Sequence, residues 1–173
     1  MSSMNFFNRL FDTTITSLEA AIPSGPAPDW YRVSPPGAGF SVDSPGAREP
    51  TPVSGAFSYS CGEWTLAVQL LPRANFRGDC SALERELHLS MESTLRVWEP
   101  TTHSDASVGT LDGHPSIGFS FEDDERCALS LLVITGERLY QVLATGPKDS
   151  SQAYAERFIR SFRIVTPGAS FRS

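Results

Sequence analysis

The side chains best suited to acid–base or metal chemistry are three histidines, His88, His103 and His114. They fall in three different predicted elements: a helix, a loop after a proline, and the start of a strand beside a hairpin turn. None belongs to an HExxH motif or to another short-spaced pair that would aim two imidazoles at one zinc ion. The pattern therefore favours solvated or capping histidines, and we predict no metal site and no cofactor.

A serine near one of these histidines raises the question of nucleophilic catalysis. The segment GHPSIG, residues 113–118, places Ser116 two residues after His114. The GxSxG spacing of a nucleophile elbow is not met, and Ser116 would begin a strand instead of occupying a strand-to-helix turn. The chain also lacks the GxGxxG and GxxxxGK loops that bind phosphates. We predict no catalytic residue.

Four consecutive acidic residues, Glu122 to Glu125, could be interpreted as a calcium loop. An EF-hand loop alternates its ligands and carries a central glycine, and this run does neither. Acidic residues at a hairpin tip are usually solvated or discourage the pairing of sheet edges. We expect that structural role here.

Composition and charge limit the classes of partner. The 173 residues are 40% hydrophobic and carry a net charge of −6, which suits one globular domain and argues against binding to nucleic acid or to an anionic membrane. No run of eighteen apolar residues is present. Cys61, Cys80 and Cys127 are odd in number and lack CxxC spacing, so reduced thiols in a cytoplasm are the expectation.

The N-terminal segment 1–22 contains a single apolar stripe. Its side chains recur at spacings of four, four, three and four, as on one face of a helix: Phe7, Phe11, Ile15, Leu18 and Ile22. Residues 23–29, PSGPAPD, end this helix and form a proline-rich linker. The stripe either folds back onto the body as an extra core layer or binds in a partner's groove, and both alternatives stand. A membrane-surface helix is disfavoured, because Arg9 is its only basic residue.

The body, residues 30–166, begins with predicted strands at WYRV and GFSVD, followed by a hairpin. CGE, residues 61–63, turns that hairpin, and alternation puts one set of side chains on one face: Phe57, Tyr59, Cys61, Trp64, Leu66, Val68 and Leu70. A helix follows over residues 79–98. Ser81 and Glu84 suggest its capping box, and Leu83, Leu87, Met91 and Leu95 its buried stripe.

Four more strands and a last helix complete the body, and residues 167–173 form a tail. Asp112–Gly113 predicts a hairpin turn before a strand that directs Ile117, Phe119 and Phe121 inward. ALSLLVI, residues 128–134, is almost wholly apolar and predicts a central strand covered on both faces. After RLYQVLA, Asp149 and Gln152 suggest a capping box for a helix that buries Ala155, Phe158, Ile159 and Phe162. The element order predicts an α+β fold, an antiparallel sheet with helices on both faces.

Several of these segments, taken in order, resemble PsbP-like and DcrB-like domains. They are WYRV, GFSVDSP, the long middle helix, LDGHPSIGFSF, GERLYQVLATGP and RFIRSFRIV, which together cover about residues 30–166. The resemblance implies an α/β/α sandwich and a non-enzymatic role. That superfamily includes an extrinsic photosystem subunit, a Ran-binding import factor and type VI secretion effector chaperones. It transfers no catalytic residue to this chain, and fold analogy does not choose among these roles.

The functional expectation is a cytoplasmic, bacterial protein-binding adaptor or chaperone-like accessory subunit. Its contacts would be the N-terminal stripe, the sheet face, or both, and its partner another protein, in a secretion system or another multiprotein complex. The alternative is a small-ligand carrier or enzyme with a pocket between sheet and helices. Tyr59, Trp64 and Tyr140 are the aromatic side chains that would line such a pocket.

Overall fold

A computed structural model describes residues 28–46, 51–53, 55–72 and 78–165. Within these ranges the chain forms eleven strands and two helices. In order they are β1 (Trp30–Val33), β2 (Phe40–Pro45), β3 (Thr51–Val53), β4 (Ala56–Cys61), β5 (Trp64–Pro72), α1 (Cys80–Trp98), β6 (Thr102–His103), β7 (Ser107–Leu111), β8 (His114–Glu122), β9 (Arg126–Ile134), β10 (Arg138–Pro147), α2 (Ala153–Ser161) and β11 (Arg163–Ile164).

The main sheet is antiparallel and has the order β3-β4-β5-β10-β9-β8, with β6 and β7 pairing successive parts of the outer edge of β8. Short turns join β4 to β5 and link β8, β9 and β10 into a meander. The long pairing of β10 with β5 joins these two units into one sheet. The predicted antiparallel α+β fold is confirmed.

The central strand β9 is buried on both faces, as its apolar sequence predicts. Leu129, Leu131 and Val133 belong to the core cluster that contains α2, and we call this side of the sheet face 1. Ala128, Leu132 and Ile134 belong to the cluster that contains α1, on the side that we call face 2. Each face of the sheet therefore has its own hydrophobic layer, with a helix over each.

A second, three-stranded sheet of order β1-β2-β11 also lies on face 1, and the sequence did not predict it as a separate sheet. Its strand β11 follows α2 directly, one residue after the helix ends. The stacked rings of Phe40 and Phe162, 5.5 Å apart, join β2 to the end of α2. Arg32 fixes the same junction, donating to the Ser161 carbonyl oxygen at 2.5 Å and pairing with Asp43 at 3.1 Å.

Helix α1 begins differently from the prediction. Its N-cap is Asp79, whose side chain accepts a hydrogen bond from the Ala82 N–H at 2.9 Å. The predicted capping box of Ser81 and Glu84 is wrong, because Ser81 already lies inside the first turn. The predicted stripe is confirmed: Leu87 and Met91 are buried, and Leu83 and Leu95 pack beside them.

Helix α2 buries the side chains that its spacing predicts: Ala155, Phe158, Ile159 and, just past its end, Phe162. Its predicted capping box is wrong as well. The helix starts after Gln152, which makes no side-chain capping hydrogen bond. Instead, the Gln152 side chain donates to the Cys127 sulfur at 3.8 Å.

Candidate docking surfaces

The predicted binding stripe, Phe7, Phe11, Ile15, Leu18 and Ile22, lies outside the described residues, so it stays a prediction. The point where the linker joins the body is described. The Trp30 ring packs 6.2 Å from the Tyr154 ring, and the Arg157 guanidinium stacks over it at 4.6 Å. The first described strand therefore begins beside α2, on face 1.

The three aromatic residues proposed to line a ligand pocket lie instead in the core of face 1. Tyr59, Trp64 and Tyr140 are 6%, 3% and 2% exposed. Tyr140 packs 5.7 Å from Phe162 and donates its hydroxyl to the Ala38 carbonyl oxygen at 3.0 Å. Their role in the described structure is to fill the layer between the main sheet, α2 and the small sheet.

Two aromatic side chains of this layer carry a polar atom that has no hydrogen-bond partner among the described residues. The two atoms are the Tyr59 hydroxyl and the Trp64 Nε1. Burial raises the pKa of Tyr59 to about 12, because the charged phenolate is poorly solvated there. The Trp64 indole lies against the backbone of Gly146, where a Cβ atom would fall 2.5 Å from the ring.

Face 2 is covered unevenly. Helix α1 packs on β8 and β9, and its Thr94 hydroxyl accepts a hydrogen bond from the Gln141 amide of β10 at 3.2 Å. Beyond this border lies a surface that we call the open half-face. Four of its side chains are exposed and the other three half-buried: Ser58, Ser60, Thr65 and Gln69, then Ala56, Ala67 and Leu143.

None of these seven side chains is charged, although 20% of the chain is charged. An exposed sheet face normally carries charged residues, whereas the centres of protein interfaces are depleted in them. The pairs Ser60–Thr65 and Ser58–Ala67 are also small, so a partner's backbone can approach the sheet closely. The open half-face therefore shares its lack of charge with interface centres, although it is richer in serine and alanine than they are.

The sequence contained a signal for this surface that the prediction did not use. Alternation along β4 and β5 was used to place the inward side chains, such as Tyr59 and Leu66. The outward positions between them hold only serine, threonine, alanine and glutamine up to Gln69. Their lack of charge marks the face, but the residue on β10 that completes it, Leu143, follows only from the strand order.

The histidines remain apart in the structure. His88 is exposed on α1, His103 is exposed on the short edge strand β6, and His114 is half-buried at the start of β8. Within the described ranges, no group of three His, Cys, Asp or Glu side chains could hold a metal ion. Ser116 is buried and donates to the His114 carbonyl oxygen at 3.0 Å.

The acidic run forms the β8–β9 turn, as predicted. Asp123 accepts hydrogen bonds from the backbone N–H groups of Arg126 at 2.6 Å and Glu125 at 2.9 Å. These two bonds lower the pKa of its carboxyl group. Lys148 pairs with Glu122 at 2.9 Å, and this bond raises the pKa of the lysine.

A shallow recess lies between this turn and the end of α1. We call it the Trp98 recess, and its lining includes Trp98, Pro100, Phe121, Asp123, Arg126 and Thr145. The Trp98 ring packs 5.5 Å from Phe121 and is still 42% exposed. The recess exists because α1 ends at Trp98, whereas β8 and β9 continue past it to their turn.

All three cysteines are free thiols, Cys61 and Cys127 buried and Cys80 exposed. Burial raises the pKa of both buried thiols, which disfavours the reactive thiolate. Among the described residues, no helix is both long and apolar enough to span a membrane.

The comparisons with known proteins concern the fold. The solution structure of cyanobacterial PsbP (CyanoP) from Synechocystis sp. PCC 6803 matches with a TM-score of 0.53 at 12% identity, covering 85% of this chain and 98% of that one. The body has a PsbP-like fold. A crystal structure from Bacteroides thetaiotaomicron VPI-5482 matches with a TM-score of 0.55 at 16% identity over 81% of this chain. The match spans 50% of the Bacteroides chain.

No protein-family model and no curated protein matches this sequence. At such low identities the structural likeness shows the fold alone, and function has to be argued from the surfaces of this chain.

Proposed function

We propose that this protein is a non-catalytic, protein-binding adaptor or chaperone-like accessory subunit in the bacterial cytoplasm. The observation that carries the proposal is the open half-face, a set of seven uncharged side chains on three adjacent strands beside α1, four of them exposed and three half-buried. The N-terminal stripe supplies a second, apolar contact. In the chaperone-like form of this function, the open half-face shelters a client segment that is poorly soluble alone.

The chemistry of the open half-face defines the segment that it accepts. Its middle row, Ser58, Ala67 and Leu143, is small or apolar, and the rows beside it carry hydroxyl and amide groups. A segment with an apolar ridge flanked by uncharged polar side chains can bury the ridge and satisfy the flanking groups. A charged segment would lose solvation without gaining an opposite charge.

The test is affinity capture from the native host with four forms of the tagged chain, compared quantitatively by mass spectrometry. They are the full chain, a chain starting at Asp29, and full chains with Thr65→Glu or Ser93→Glu. Both substituted positions are exposed, and Ser93 lies on the outer side of α1 away from the sheet. Each substitution therefore adds one negative charge, and only Thr65→Glu places it on the open half-face.

We expect Ser93→Glu to retain the partners of the full chain and Thr65→Glu to lose at least one of them. Partners lost only by the chain starting at Asp29 would assign recognition to the N-terminal stripe alone. If all four forms capture the same proteins, the two surfaces do not bind partners and the proposal fails. A thermal-shift screen with metabolites would then test the carrier alternative, since a ligand at a hundred times its Kd adds about 2.7 kcal/mol.

A further inference from the structure

One outer edge of the main sheet is formed by strand β7, whose side away from β8 is open. Among the described residues β7 pairs with β8 alone. Its last pair, Leu111 with His114, flanks a two-residue turn, so the backbone groups of this pair bond to each other. Antiparallel bonding alternates along a strand, so Val108 and Thr110 direct their N–H and C=O groups away from β8.

This open edge of β7 lacks the usual protection of an edge strand. Natural edges carry charged residues, a proline or a bulge, which prevent pairing with other chains. The sequence of β7, SVGTL, has no charge and no proline, and Val108 is 49% exposed. The strand at the opposite edge, β3, contains Pro52, which has no N–H to donate. Of these two edges, β7 is therefore better suited to accept a further strand.

The described part of the chain ends beside this open edge. Val165, the last described residue, donates its N–H to the Gly39 carbonyl oxygen at 2.9 Å and so continues the pairing of β11 with β2. The preceding N–H, that of Ile164, donates to the Asp112 carboxylate at 2.9 Å. Asp112 is the first residue of the turn that ends β7, so the residues after Val165 start at that end of the strand.

The residues that follow, TPGASFRS at positions 166–173, lie outside the described ranges and have a sequence suited to this edge. Pro167 and Gly168 are the residues that the two central positions of a type II turn favour, so the chain can reverse there. The remainder, ASFRS, has as many residues as β7 and can extend about 17 Å. Its one charged residue, Arg172, is opposite in sign to Asp112 at the end of β7.

We propose that residues 169–173 form an additional antiparallel strand on the open edge of β7. The strands are antiparallel because the segment starts at the turn end of β7 and runs back along it. In the register that we propose, Phe171 lies opposite Val108 and Ala169 lies opposite Thr110. Both pairs then exchange N–H···O=C bonds, and the Phe171 ring covers the exposed Val108 side chain. This contact goes beyond the proposed function, because it removes the edge from pairing with other chains.

The test is amide hydrogen exchange of the ¹⁵N-labelled full chain, followed by NMR at two protein concentrations. Val108 and Thr110 should exchange about a hundredfold more slowly than unstructured amides, although β8 does not bond to them. Their exchange rates should be the same at both concentrations. Nuclear Overhauser effects should connect the Phe171 ring protons to the Val108 methyl groups.

A matched pair of proline variants tests the register. Ala169→Pro removes an N–H that bonds to Thr110, whereas Ser170→Pro removes one that points away from β7. We expect Ala169→Pro to bring Val108 and Thr110 within about tenfold of the unstructured exchange rate, and Ser170→Pro to keep them protected. Gly109 bonds to β8, so its amide should stay protected in both variants and report an intact fold.

The proposal is overturned if Val108 and Thr110 exchange at the unstructured rate in the full chain, or if Ala169→Pro leaves their protection unchanged. Protection that increases with protein concentration would assign the edge to a second copy of the chain and would also overturn it. Each of these outcomes leaves the proposed function intact, because the open half-face lies on β4, β5 and β10.

Discussion

The buried hydroxyl of Tyr59 gives the sharpest prediction about stability. Tyr59 is 6% exposed, and its hydroxyl has no hydrogen-bond partner among the described residues. A buried polar group without a partner costs about 1–3 kcal/mol. Tyr59→Phe removes this group and keeps the ring, which packs 5.8 Å from Phe158. At pH 8 we therefore expect the variant to be more stable than wild type, by about 1 kcal/mol.

The pKa of the same group predicts how this difference changes with pH. It is raised in the folded state from the ordinary value of 10.0 to about 12. Between these values the folded protein keeps the Tyr59 proton and the unfolded chain releases it, so the stability of the wild type falls as pH rises. At pH 11 the loss from this one group is about 1.4 kcal/mol. Because Tyr59→Phe cannot ionise there, its advantage should grow by that amount between pH 8 and pH 11.

The assay is urea unfolding of both proteins at the two pH values, followed by tryptophan fluorescence. The raised pKa values of Cys61 and Cys127 also weaken the fold at high pH, but both proteins share them and they cancel in the difference. Tyr140→Phe is the matched control, because its hydroxyl does have a partner, the Ala38 carbonyl oxygen. It should lose about 1 kcal/mol. A loss of the same size in Tyr59→Phe, or no change with pH, would refute this account of the core.

Two further substitutions test local geometry. Gly146→Ala should destabilise the fold by about 1–3 kcal/mol, because the added Cβ atom would lie 2.5 Å from the Trp64 ring. The control is Gly136→Ala, whose added Cβ atom meets nothing within 4 Å. Chemical denaturation compares the two variants, and equal stabilities would contradict the prediction. Asp79→Ala should cost about 1 kcal/mol through loss of the N-cap of α1, whereas Ser81→Ala should cost much less. Thermal unfolding compares the two, and the reverse ranking would restore the capping box predicted from sequence.

The sequence predicted most of the main sheet because its signals there are local. Alternation, the Asp112–Gly113 turn and the apolar run of β9 each depend on neighbouring residues only. The predictions of the two capping boxes were wrong because the choice of N-cap does not depend on local sequence alone. At α1 both Asp79 and Ser81 are good capping residues, and in the structure Asp79 is the N-cap. Tertiary structure makes that selection, and the local pattern does not contain it.

The small sheet could not be predicted in the same way. Its strand β11 is two residues long and pairs with Phe40 and Ser41, more than 120 residues earlier in the chain. A pair so short and so distant leaves almost no periodic signal in the sequence. The helical spacing of Phe158, Ile159 and Phe162 runs up to the residue before β11 and gives no sign of a strand. The side chains that hold this sheet on α2, Arg32 and Trp30, were assigned no role from sequence.

The two candidate surfaces, the open half-face and the Trp98 recess, also differ in how far the sequence predicts them. The outward side chains of β4 and β5, such as Thr65 and Gln69, show their lack of charge in the sequence, so six of the seven residues of the open half-face were accessible to prediction. The Trp98 recess was not, because it forms where a helix stops earlier than the strands beneath it. Only the strand register places Phe121 under Trp98 and the acidic turn beside them.

The groups with perturbed pKa values lie apart from the open half-face. A catalytic site gathers titratable groups where solvent is limited and perturbs their pKa values. In the described structure the perturbed groups are instead core phenol and thiol groups and an ion-paired turn, and the open half-face is uncharged.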